Sequence, residues 1–182
     1  MKLATIFRNS NAHRVALASA VILGTVGVSN AFAASDTATS SGTVVTPITI
    51  TSSANLNFGE FAADPTTAGT VVVSTGGVAS ATTAVITKDT AVTAAAFAIA
   101  GSNDASFSVA VTDNEVTHTD TTTTMALTTK HDNDATTEDS LASYALSATG
   151  AATIYVGGTL AVAAAQLAGA YSGTVTVAVA YN

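Results

Sequence analysis

The feature that most constrains this chain is an alternation of period two between Thr43 and Asn182. In Gly173–Tyr181 (GTVTVAVAY) one face carries Val175, Val177, Val179 and Tyr181, and the other carries small or hydroxyl side chains. Thr43–Thr51 places Val44, Thr46, Ile48 and Ile50 on one side, and Ser106–Thr112 does the same with Phe107, Val109 and Val111. A repeat of two suits a pleated strand with one buried face and does not suit a helix. Weaker runs with the same habit are Thr70–Ser74, Ala94–Ala100, Thr123–Thr129, Ser143–Ala148, Ala152–Val156 and Thr159–Ala163, and Val78–Thr87 reads as extended. β-Branched Thr and Val reinforce the reading.

Turn residues separate the runs: Asp64-Pro65, Gly76-Gly77, Gly101–Asp104, Asp113-Asn114, Asp132–Asp134 and Gly157-Gly158. About nine short strands at this spacing predict an all-β antiparallel sandwich. Ala161–Ala170 has the composition of a helix, but Gly157-Gly158 and Gly169 bracket it, and it is read as a strand end followed by a loop.

The first 33 residues are of another kind. Lys2, Arg8 and Arg14 precede the uncharged apolar run Val15–Val28, and Ala31-Phe32-Ala33 supplies the small residues that a signal peptidase reads. The expected organisation is a signal peptide over 1–33, a mobile segment over 34–42 and the sandwich over 43–182. The apolar run is too short, and too broken by Gly24 and Gly27, for a spanning helix. The expected location is therefore periplasmic, cell-surface or extracellular, without membrane insertion after cleavage.

Charge and sulfur content exclude several functions. Of five basic residues only Lys88 and Lys130 lie beyond the leader, against twelve acidic ones. Such a surface does not neutralise phosphates, so no nucleic-acid partner is expected. With no Cys there is no disulfide, no thiolate metal site and no thiol nucleophile. No G-x-S-x-G elbow or G-x-x-x-x-G-K phosphate loop occurs. The reading is a non-enzymatic chain with no cofactor and no catalytic residue. His118 and His131 lie in polar stretches and read as exposed loop histidines. The aromatics read as packing residues. The acidic run His131–Asp139 departs from the calcium-loop pattern, with Thr137 at the glycine position, and reads as a solvated loop.

Four segments carry a resemblance. They are Pro47–Thr51 with Leu56-Asn57-Phe58-Gly59, then Gly69–Val73, Val156-Gly157-Gly158-Thr159-Leu160, and Gly169–Asn182. In this order they resemble a family of exported bacterial domains of unassigned function. The last segment is also similar to the closing strand of spore-coat-U-type and chaperone–usher pilin subunits. The resemblance implies an immunoglobulin-like, pilin-like sandwich, exported and assembled into surface fibres with itself or with pilus-type partners. Many pilins carry a disulfide, and this chain has none.

Two roles stay open for Val44, Ile48 and Ile50. They insert into a neighbour's unfinished sandwich, or they belong to the first strand of the chain's own sheet. Val175, Val177, Val179 and Tyr181 form the closing strand in either case. The functional expectation is a structural or surface-associated subunit assembling by strand exchange. The alternative is a self-contained adhesive or ligand-binding module, calcium-dependent through residues 132–139.

Overall fold

The structure is a computed structural model that describes residues 35–82, 85–88, 91–112 and 115–182. The expected leader over 1–33 and the Asp113-Asn114 turn lie outside the described residues. The strands are β1 (Thr49–Ala54), β2 (Glu60–Ala63), β3 (Gly69–Val73), β4 (Ala79–Ala81), β5 (Val85–Lys88), β6 (Ala95–Ala100) and β7 (Ser106–Thr112). They continue as β8 (Val116–His118), β9 (Thr124–Met125), β10 (Leu127–Asp132), β11 (Ser143–Ala145), β12 (Ala151–Val162), β13 (Tyr171–Ser172) and β14 (Thr176–Tyr181). No helix occurs among the described residues, and every ladder is antiparallel. The Ala161–Ala170 stretch is a strand end followed by turns, with Ala165 at φ 52°.

The long strand β12 organises the larger sheet. Tyr155 and Val156 pair with both β6 and β10, whereas Gly158, Thr159 and Leu160 pair with both β3 and β10. β10 therefore covers one edge of β12, and β6 and β3 lie end to end along the other. The order is β1-β6-β12-β3-β4, with β10 on β12. The second sheet is β11-β7-β14, and β13-β8-β9 and β2-β5 form smaller ones.

The sequence places a turn at Gly157-Gly158, and the structure corrects this. Both glycines lie inside β12. Neither has a positive φ, so the demand is for space rather than for turn geometry. A Cβ at Gly157 would stand 2.5 Å from the Val73 carbonyl oxygen and 2.7 Å from the Thr75 nitrogen. One at Gly158 would stand 2.8 Å from Leu127 Cδ1 and 3.1 Å from Phe58 Cζ.

Alternation sorts the side chains into two buried clusters. One contains Ala95, Ile99, Phe107, Val109, Tyr144, Leu146, Ile154 and Val156. The other contains Val71, Val85, Met125, Leu127, Leu160 and Val162. Fully burying a side chain such as Phe107, Ile99 or Ile154 contributes roughly 1.5–3 kcal/mol. Half-buried Leu56 and Val175 pack against both clusters and form the seam between them.

Candidate functional site

The seam is incomplete. A groove of about 1140 Å³ opens along it. One wall runs from Ser52 through Leu56 and Phe58 to Ala63, and the other runs from Gln166 through Tyr171 to Val175. Phe97, Met125, Leu127 and Leu160 form the floor, and Glu60 is the one carboxylate in the lining. The walls lead into β1 and β14. Each of these strands lies at the end of its sheet's order, and no ladder joins them. Their far ends are tied together: Tyr181 Oη donates to the Thr46 carbonyl oxygen at 2.7 Å and accepts from the Ser102 N–H at 2.6 Å. The two edge strands thus run in opposite directions, closed at the Tyr181 end and open at the Leu56–Val175 end.

The sequence-derived candidates divide accordingly. Ile48 and Ile50 pack against the first cluster, and β1 pairs with β6 of its own sheet. Val44 is 99% exposed and precedes the strand, which starts at Thr49 rather than Thr43. Pro47 has no N–H to offer the ladder there. Val177, Val179 and Tyr181 lie in β14 and pack on the first cluster, whereas Val175 precedes the strand at the head of the groove. The groove itself was not read from the sequence. Its signal was the closeness of Leu56, Phe58 and Phe61, three large apolar residues between weak strands.

His118 and His131 are not exposed loop residues. His131 is buried in β10, with its Nε2 3.1 Å from the Leu141 carbonyl oxygen and its ring against Tyr144. His118 lies in β8 against the Tyr171 ring at 4.9 Å, and Gly169 leaves the room its imidazole occupies.

The acidic run is only partly solvated. Asp132 is fully buried, and its carboxylate accepts hydrogen bonds from the Ala135 N–H (2.7 Å), the Glu138 N–H (2.9 Å) and the Thr75 hydroxyl (2.5 Å). Glu138 Oε1 accepts from the Thr75 N–H, and Asp139 accepts from the Tyr144 hydroxyl. Burial and the Asp139 hydrogen bond push the Tyr144 hydroxyl up to about 12. No cluster able to hold a metal ion occurs among the described residues.

The strongest carboxylate perturbations follow a local pattern, Asp-x-Thr-Thr, at Asp64, Asp120 and Asp134. Each carboxylate accepts N–H groups from the residues two and three positions on. The Thr66 N–H and hydroxyl hold Asp64 below its ordinary value. The Thr123 N–H and hydroxyl hold Asp120 well below the carboxylate range. The Thr136 N–H leads the groups that lower Asp134 to about 2. These are turn caps, so their shifts have a structural cause.

Residues 48–181 match the DUF4402 family, described as a domain of unknown function. The chain belongs to that family. The DUF4402 match takes in both groove walls and both edge strands, and it begins at Ile48, after the exposed Val44. Comparison with curated proteins and with solved structures gives no match.

Proposed function

We propose that this DUF4402 chain is an exported, pilin-like structural subunit that works by pairing strands rather than by covalent chemistry. The observation that carries the reading is an unfilled groove, floored by large apolar side chains, whose walls lead into two edge strands. Edge strands of soluble proteins are usually blunted by charge, Pro or a covering element. β1 (TITSSA) and β14 (TVAVAY) contain no charged residue and no Pro. An extended segment entering by the groove would meet half-buried side chains there and main-chain groups at these edges. The leader-like first 33 residues support export, and the closing-strand pattern supports the pilin-like comparison. A calcium-dependent binding module has less support, because the Asp132 carboxylate is already engaged by three protein donors.

Sedimentation velocity and electron microscopy of the purified protein over a concentration series test the reading. Oligomers or fibres are expected. Leu167→Asp should abolish them with an unchanged melting temperature, since Leu167 lies on the groove rim and is 48% exposed. A protein that stays monomeric at every concentration, or assembles equally well with Leu167→Asp, overturns the proposal.

A further inference from the structure

One wall of the groove is thinly attached to the body of the domain. From Gln166 to Gly173 only Gln166 and Tyr171 are half-buried, and the other residues are exposed. Its ladder is the two-residue pairing of β13 with β8. Beyond that ladder the Thr119 N–H donates to the Ala170 carbonyl oxygen at 3.1 Å, and Gln166 Nε2 reaches the Thr124 carbonyl oxygen at 3.4 Å. Shorter bonds stay within the segment: Gln166 Nε2 donates to Tyr171 Oη at 2.9 Å, and Tyr171 Oη donates to the Leu167 carbonyl oxygen at 2.8 Å. A segment braced in this way moves as a unit. Its ends are fixed, because the Ala165 N–H donates to the Asp64 carbonyl oxygen at 2.8 Å and a Cβ on Gly173 would stand 2.8 Å from the Glu115 carbonyl oxygen. A short ladder and few buried side chains put a segment at the low end of local stability.

Beneath this wall lies the one buried side-chain nitrogen or oxygen among the described residues without a hydrogen-bond partner, His118 Nε2. The Asp120 N–H donates to Nδ1 at 3.1 Å, so the hydrogen of the neutral ring is on Nε2, and the charged ring carries one there as well. In both forms a donor faces the Gly169 backbone with no acceptor. A Cβ on Gly169 would collide with this nitrogen, and Gly169 takes φ 148°, a conformation open to glycine. An unsatisfied buried donor costs free energy, and opening returns it by letting water in. We infer that Gln166–Ser172 is a lid, hinged at Ala165 and Gly173, and that the unpaired His118 nitrogen keeps its open form within reach. Lifting the lid carries Tyr171 off the cluster that contains Met125 and Leu127 and widens the groove above them. That the widened groove admits a strand rests on the function proposed above, whereas the opening itself does not.

Residue-resolved amide exchange of the purified protein tests the lid. The reporter is the Thr119 N–H, whose bond crosses from the body to the lid, and the control is the Gly101 N–H, bonded to the Gly150 carbonyl oxygen outside it. His118→Phe keeps a ring, His118→Leu keeps a smaller apolar side chain, and each removes the unpaired donor. The Thr119 protection factor should rise roughly tenfold in at least one of the two, with Gly101 unchanged. A histidine that only supports the wall predicts the reverse, a loss of protection on substitution. Protection at Thr119 that is unchanged or lower in both variants, or a rise shared equally by Gly101, overturns the inference. Sedimentation velocity on the same samples keeps the two claims apart: the expected rise in protein that stays monomeric supports the lid and overturns strand pairing.

Discussion

Replacing Gly157 and Gly158 singly by Ala separates a turn from a close approach. If the pair marked a turn, the two substitutions would cost similar, small amounts. The structure expects them to differ. At Gly157 a new methyl meets backbone: Val73 O at 2.5 Å, Ser74 C at 2.7 Å and Thr75 N at 2.7 Å. These atoms belong to β3 and its exit, and Val71 and Val73 are buried there. They cannot withdraw without parting the β3–β12 ladder. At Gly158 the methyl meets the ends of side chains: Leu127 Cδ1 at 2.8 Å, Phe58 Cζ at 3.1 Å and Leu56 Cδ2 at 3.2 Å. Leu56 and Phe58 border the groove and have room to swing.

Overpacking in a rigid site costs about 1–3 kcal/mol, and exchanging Gly for Ala returns roughly 0.4–1 kcal/mol by restricting the unfolded chain. Gly157→Ala should therefore lose about 1–2 kcal/mol net, and Gly158→Ala should lie within about 1 kcal/mol of the parent. For a domain of this size the first loss lowers the melting temperature by roughly 2–8 °C. Urea denaturation followed by far-ultraviolet circular dichroism measures both, with the slope checked for constancy. The reasoning fails if Gly157→Ala is as stable as Gly158→Ala.

Three further outcomes follow from the same geometry. Tyr181→Phe removes the hydroxyl that holds Thr46 and Ser102. Thr46 is exposed and Ser102 half-buried, so the loss should be about 1–2 kcal/mol in chemical denaturation, with faster amide exchange at Ser102. Asp132→Asn replaces one acceptor oxygen by a donor among two N–H groups and a hydroxyl, and should cost about 2–4 kcal/mol by thermal melting, with no change on adding millimolar calcium to the parent. Asp64, Asp120 and Asp134 have native values below the ordinary 3.8, so the stability they contribute is complete above that value and is lost as pH falls through the native ones. Tyr144, raised from 10.0 to about 12, contributes below pH 10 and loses its share between there and 12. A melting-temperature profile should be level from pH 5 to 9 and fall on both sides.

Much of the fold was legible because alternation reports a buried face directly. Phe107, Val109, Ile154 and Val156 alternate in the sequence and are buried in the same cluster. What stayed hidden depends on contacts between distant segments. Gly157-Gly158 reads as a turn locally, and only the approach of β3, Leu127 and Phe58 shows that it is a strand interior. Asp132 reads as part of a solvated run, and only Thr75, far away in sequence, completes its burial. The Asp-x-Thr-Thr pattern was visible three times and is local, so its recurrence could have identified the turn caps. The groove could not be read in the same way. It lies where Leu56, Phe58 and Val175, outside the ladders of β1 and β14, stay half covered, and alternation gives no information on how such segments come together.

The placement of polar groups bears on function more than their abundance does. An active centre gathers titratable groups whose perturbation serves a reaction. Here Asp64, Asp120 and Asp134 sit at separate turns, each held by its own following threonines, and Asp132 is enclosed by its own loop and Thr75. Elsewhere among the described residues apolar side chains stay partly uncovered: half-buried Leu56, Phe58, Phe97 and Val175 border the groove, and Val44 and Val45 are exposed. Contiguous exposed apolar surface carries a standing cost in water and tends to mark where another surface belongs. A groove whose walls lead into strands at the ends of two sheets adds a directional requirement, since an extended backbone is what pairs with such edges. A compact apolar ligand would cover Phe58 and Phe97 and leave the outer edges of β1 and β14 without a ladder. A strand would reach both, which favours a polymer subunit over a pocket for a small molecule.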